Sequence, residues 1–186
     1  NPGLDAFLAT ELPWLLTEGA RVVVSVVARD LGEYAEVARR LATAPGVSAV
    51  EVNLAVPDAA ELGVLDAREH FHVGAAVSTV LRELPRGVPV LAKLRPDPVR
   101  VAETVRVAAD AGAAAVVLGG AMTFGGNDSE LGRRFLERIR EEVRARAFPV
   151  PAKNCAIDYA SLGSAAGCIG AAGIARVAHQ KMTNHP

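Results

Sequence analysis

Residues 88–94 read Val-Pro-Val-Leu-Ala-Lys-Leu. A short apolar run that does not alternate with polar residues is the pattern of a strand covered on both faces, as in a parallel sheet. Three further runs have the same character: Arg21–Val27 (RVVVSVV), Ser48–Leu54 (SAVEVNL) and Ala113–Leu118 (AAAVVL). Helical periodicity fills the intervals. Leu31, Tyr34, Val37, Ala38 and Leu41 mark a helix over 31–43, ended by Pro45-Gly46. The spacing predicts further helices over 66–84, 99–111 and 129–147, with Gly112 placed where a left-handed C-terminal residue is expected. Pro149-Val150-Pro151 is expected to open a short fifth strand.

Strand–helix alternation of this kind makes an α/β fold with right-handed crossovers. Two architectures satisfy it: a (β/α)8 TIM barrel and an open parallel α/β sheet. The pattern by itself does not choose between them. No GxGxxG follows the first strand, which argues against a dinucleotide-binding Rossmann domain. Residues 1–151 read as the core of the domain, and 152–186 as a divergent tail rich in Ala and Gly.

The composition narrows the function classes. The chain has 186 residues, 51% hydrophobic and 22% charged, enough to bury a core and too apolar for global disorder. Twenty basic residues against 21 acidic leave a net charge of −1, so a broadly basic nucleic-acid surface is not expected. Charged residues, Gly or Pro interrupt every apolar stretch before membrane-spanning length. The chain opens Asn1-Pro2-Gly3 without an initiator Met or a basic segment and apolar run, so no signal peptide is expected. Two cysteines make no disulfide framework, and a reducing cytoplasmic setting is the expectation.

Ligands in parallel α/β folds bind at the carboxyl ends of the strands. Asn53, near the end of the second strand, is either a ligand amide contact or a hydrogen-bonded core residue. Lys93 interrupts an otherwise apolar strand. A buried charge must be paired, so Lys93 faces a carboxylate, a phosphate or an anionic cofactor, and Glu51 is the alternative partner within the chain.

In order along the chain, NPGLDAFLATELPWL, VVVSV, EYAEVARRL, EVNLAVPD and VPVLAKLRPD resemble dihydroorotate dehydrogenase, nearest to the bacterial class 1 enzymes. The resemblance runs from Asn1 to about Gly120. It implies a (β/α)8 barrel with FMN at the carboxyl ends of its strands, and oxidation of dihydroorotate to orotate in pyrimidine biosynthesis. It implies that Lys93 lies beside the flavin ring and that Asn53 touches both flavin and a small planar substrate of pyrimidine type. Asn1 stands at the close of the family's substrate loop. Gly125 and Gly126 resemble a phosphate-binding turn, with Asp128 where that turn carries Ser. Partners on this reading are a second copy or an electron-transfer subunit. Against a complete barrel of this family, 186 residues read as most of a barrel with its ends cut or replaced.

The departures gather on the substrate side. Val56 occupies the position of the family's catalytic Cys, and valine accepts no proton. Asp58 replaces a substrate-binding Asn. It is the one candidate for a substitute base, against the commoner use of Asp as a turn or helix cap. Leu118-Gly119-Gly120 lacks the Asn expected after the fourth strand. The alternative function is therefore a non-catalytic, degenerate barrel that serves as a binding or assembly subunit.

The remaining polar residues carry less. Cys155, Cys168, His179 and His185 are separated by 13, 11 and 6 positions, which fits no zinc pattern, and no metal site is expected. His70 and His72, two apart on one helix, read as surface residues. Trp14 reads as packing or interface. The Arg and Glu residues of 133–142 read as a solvated face with internal ion pairs.

Overall fold

The computed structural model describes residues 3–56, 58–95, 97, 99–118, 126–148 and 155–159. A helical entry segment comes first: α1 (Leu4–Ala6), a π-wound turn (Phe7–Glu11) and α2 (Leu12–Thr17). Then follow β1 (Val22–Val26), α3 (Leu31–Ala42), β2 (Val47–Asn53), α4 (His70–Glu83), β3 (Val90–Leu94), α5 (Val101–Asp110), β4 (Ala115–Leu118), a 3-10 turn (Gly126–Asp128), α6 (Glu130–Arg146) and β5 (Ala156–Ile157).

All five strands are parallel, and their order in the sheet is their order in the chain. A doubly wound sheet reverses its strand order at a switch point and carries helices on both faces. An unreversed order with right-handed crossovers puts every helix on one side. Here α3 packs on α4, α4 on α5 and α5 on α6. This is the arrangement of an arc of a (β/α)8 barrel, with the helices outside and the other sheet face turned inward.

The core lies between sheet and helices. Val50, Val52, Leu54, Val90, Ala92, Leu94 and Val116 meet Tyr34, Leu41, Val73, Val77, Val80, Val105, Leu136, Ile139 and Val143, all buried. Strands carry apolar residues on the inner face too, which is why the sequence runs do not alternate cleanly.

Local chemistry sets the helix starts. The Asp30 side chain accepts from the Glu33 amide at 2.9 Å and caps α3, and Ser129 caps α6 through the Gly132 amide at 2.9 Å. The helix expected from Asp66 starts only at His70, because Asp66 forms a local turn: its Oδ1 accepts from the Arg68 amide at 3.1 Å. Gly112 holds a φ of 100°, and the Ala113 amide closes on the Ala108 carbonyl at 3.0 Å, so the expected left-handed stop of α5 is present. A fifth strand is described at Ala156–Ile157, so the sheet reaches past residue 151, while the strand expected at Pro149-Val150-Pro151 falls outside the described residues. Residues 149–154 and the tail from 160 lie outside the described residues.

The charged face of α6 carries the expected internal pairs Arg138–Glu142 and Arg140–Glu137, and adds Arg146–Glu142 and Arg144–Glu137 beyond residue 142. Arg140 also donates to the Ile157 carbonyl at 3.0 Å and so ties α6 to β5. The two histidines depart from the surface expectation. His70 is wedged against α5, with Nδ1 3.0 Å from the Thr104 hydroxyl and Nε2 2.9 Å from Glu103 Oε2. His72 is half-buried, its Nδ1 2.7 Å from the Asp66 carbonyl.

Candidate functional site

The pairing register determines which side chains share the inner face. Ser25 pairs with Glu51, Glu51 with Leu91, Leu91 with Ala115 and Ala115 with Ala156, giving one row across all five strands. One step nearer the carboxyl ends, Asn53 pairs with Lys93 and Lys93 with Val117. Paired residues of neighbouring parallel strands point to the same face. Asn53 and Lys93 therefore stand side by side at the end of the arc where ligands of such folds bind.

Strand β2 continues one hydrogen bond past its last residue, the Leu54 amide donating to the Lys93 carbonyl at 2.8 Å. Asn53 then turns the chain: its Oδ1 accepts from the Ala55 amide at 3.1 Å. Its backbone carbonyl accepts from the Tyr34 hydroxyl at 3.4 Å, a long bond reaching through from the helix side. Burial pushes the Tyr34 phenol up to about 12. The Asn53 oxygen is thus occupied by its own turn, while its Nδ2 donors have no partner among the described residues.

Lys93 Nζ lies 3.9 Å from Glu51 Oε1, outside hydrogen-bond reach. The Glu51 side chain is 13% exposed and that of Lys93 33%. Glu51 Oε1 also accepts a 2.6 Å hydrogen bond from Ser25 Oγ. The in-chain partner expected for Lys93 is therefore present, yet it leaves the ammonium without a hydrogen bond among the described residues. Ser25 had no role in the sequence reading. The one signal for it was a hydroxyl within the apolar run RVVVSVV.

Asp58 is not beside this pair. It adopts a φ of 52°, a conformation Asp tolerates, and its carbonyl accepts from the Glu61 and Leu62 amides at 2.9 and 3.1 Å. Its backbone thereby opens a turn over residues 58–64. Asp58 lines a small cavity of about 190 Å³ with Glu61, Asp66, Arg68 and Arg95. A larger cavity of about 450 Å³, lined by Leu54, Leu94, Arg68, Arg95 and Arg100, lies on the helix side of the same strand ends. Its arginines are partly engaged: Arg68 pairs with Asp66, and Arg100 donates to the Arg68 carbonyl at 3.3 Å. The Arg68 pairing holds the partly exposed Asp66 carboxyl below the usual carboxylate range.

Val56 is half-buried on the segment between Asn53 and this turn. Gly126 opens the 3-10 turn before α6, and the Ser129 hydroxyl is spent on the helix cap. Asn1, Gly125, Gly119 and Gly120 lie outside the described residues, as do Cys168, His179 and His185. Among the described residues, no helix is long and apolar enough to cross a membrane.

A family model described as Dihydroorotate dehydrogenase matches residues 1–118. The catalytic subunit of dihydroorotate dehydrogenase B (NAD(+)) from Anoxybacillus flavithermus is 34% identical over 113 residues, 61% of this chain and 36% of that protein. Dihydroorotate dehydrogenase A (fumarate) from Lacticaseibacillus paracasei is 34% identical over 115 residues, 61% of this chain and 39% of that protein. The B-type catalytic subunit of a Geobacter species is 32% identical over 139 residues, 75% of this chain and 45% of that protein. The chain spans less than half the length of each of these relatives.

Proposed function

Because the chain belongs to the dihydroorotate dehydrogenase family, we propose that it is an FMN-dependent oxidoreductase of the dihydroorotate-oxidising type with an altered substrate side. The observation that carries this reading is the register pairing of Asn53 with Lys93 on the inner face at the carboxyl ends of β2 and β3.

The residues fit the group. Lys93 offers a half-exposed ammonium with no hydrogen-bond partner among the described residues, and Asn53 offers free amide donors. Such donors suit the carbonyl and nitrogen edge of a flavin ring. When bound, FMN would supply hydride acceptance from a substrate carbon. Lys93 then supplies positive charge beside the ring, and Asn53 orients the ring and a small planar substrate of pyrimidine type. Gly125 and Gly126 are assigned to the phosphate end, and Asn1 to the rim of the substrate pocket. Asp58 remains the candidate substitute base on the turn after Val56, and serving as one requires that turn to bring its carboxylate from the Arg68–Arg95 cavity to the substrate. An electron acceptor or partner subunit completes the turnover.

The purified chain is expected to be yellow, or to take up added FMN, and to release FMN on denaturation. Lys93→Ala weakens that retention. A colourless protein that takes up no added FMN overturns the reading.

A second reading is favoured by Val56. With valine at the position of the family's proton acceptor, the chain serves as a non-catalytic binding or assembly subunit. Loss of a general base typically costs about 10²–10⁴-fold in rate. Wild-type protein loaded with FMN separates the two: oxidation of dihydroorotate that is lost in Asp58→Asn favours the enzyme, and FMN binding without turnover favours the subunit.

A further inference from the structure

The reading of Lys93 as the flavin-side cation leaves Glu51 unexplained. A carboxylate directly beneath that cation offsets the charge the site is meant to supply. A side chain 13% exposed on the inner face is also a costly place for an anion unless it is held. Glu51 is held from two sides through one oxygen. Ser25 Oγ donates to Oε1 at 2.6 Å, and Lys93 Nζ lies 3.9 Å from that same Oε1. The three residues sit on three adjacent strands, β1, β2 and β3, so the bracket is built from sheet and not from loop.

Lysine carries its charge on a flexible four-carbon stem with three rotatable donors. Lys93 stands at the next-to-last position of β3, where nothing else among the described residues fixes its end. We propose that Glu51 is the positioning residue of the site: braced by the Ser25 hydroxyl, its carboxylate holds the Lys93 ammonium at the inner mouth of the arc and leaves the ammonium N–H groups for the ligand. The proposal rests on the assignment of Lys93 to the flavin and deepens it. The attraction at 3.9 Å is long-range enough to orient the ammonium without consuming one of its donors.

The test is a double-mutant cycle with FMN itself as the probe, using wild type, Glu51→Gln, Lys93→Met and the double variant. The glutamine keeps an oxygen for the Ser25 hydroxyl and removes the charge. Flavin affinity, from quenching of FMN fluorescence, is expected to fall about tenfold in Glu51→Gln and less than about twofold when the same change is made beside Lys93→Met. The visible bands of bound FMN move toward those of free FMN in Glu51→Gln alone. Equal losses in both backgrounds, or wild-type affinity in Glu51→Gln, overturn the proposal. Ser25→Ala is the second probe, should Glu51→Gln fail to fold. It removes the brace and no charge, and its smaller loss of affinity also disappears beside Lys93→Met; a loss that persists there overturns the proposal. If wild type takes up no FMN, the flavin reading falls by itself. Thermal unfolding of the same four proteins then decides the hold of Glu51 on Lys93, and strict additivity overturns it.

Discussion

The Tyr34 hydroxyl on α3 donates to the carbonyl of Asn53 at 3.4 Å, joining the helix layer to the strand end that carries the site. The bond is long, so Tyr34→Phe is expected to cost only about 0.5–1 kcal/mol at neutral pH. Its larger effect is on alkaline stability. Burial raises the phenol from 10 to about 12. Below pH 10 the neutral phenol is favoured in both states and its contribution is complete. Between pH 10 and about 12 the unfolded chain ionises first and binds fewer protons, so stability falls as pH rises, by on the order of 2 kcal/mol. Thermal melts across this range should show the slope in wild type and lose much of it in Tyr34→Phe.

Asn53 divides its two functions between its two polar atoms. Oδ1 makes the local turn with the Ala55 amide, and Nδ2 has no hydrogen bond among the described residues. Asn53→Asp keeps the acceptor and removes the donors. It is expected to fold with near-wild-type thermal stability and to bind FMN about tenfold more weakly. Asn53→Ala loses both, with a stability loss of about 1 kcal/mol in addition. Calorimetric melts beside a flavin titration separate these outcomes. Equal FMN affinity for all three proteins removes Asn53 from the site.

Gly112 ends α5 at a φ of 100°. A Cβ there would also stand 2.7 Å from Leu81 Cδ2 on α4. Leu81 is partly exposed and can yield, so backbone strain dominates. Gly112→Ala is expected to destabilise by about 1–2 kcal/mol, read from urea midpoints at an unchanged slope.

Burial pushes the Cys155 thiol up to about 11. At pH 8 only about one thiol in a thousand is ionised, and thiolate is the reactive form. Alkylation of the folded protein by iodoacetamide, read at the Cys155 peptide by mass spectrometry, should run roughly 100-fold slower than in the denatured protein. Rates should climb steeply toward pH 11. Rapid labelling at pH 7 would contradict the burial of this residue beside β5.

What the sequence made legible follows from what is local. Branched apolar runs such as RVVVSVV and VPVLAKL mark strands because each needs cover on both faces, and helical spacing marks α3 and α6 because one stripe of each is buried. Strand order is not local, and no residue in β1 declares β2 as its neighbour. The choice between barrel arc and open sheet therefore waited for the pairing. The start of α4 was misplaced because the Asp66 side chain offers the backbone a turn that competes with helix. Ala156–Ile157 was not legible as a strand because two residues carry no period. At the site, Lys93 was conspicuous as a charge in an apolar strand, and Asn53 as a polar residue near a strand end whose two readings the pattern left open. The Ser25–Glu51 bracket needed the register, since 26 positions separate the two residues.

The sequential order of the strands has a consequence for how the chain acquires its structure. Each strand finds its partner one helix away along the chain, so loop closure between neighbours is short and each added unit docks on an edge already formed. Neighbouring strands can therefore dock one strand–helix unit at a time along the described arc. Ser25, Glu51, Asn53 and Lys93 all lie on β1 to β3, so these side chains stand together once β3 has docked. The pairings that bring these residues together involve no later strand.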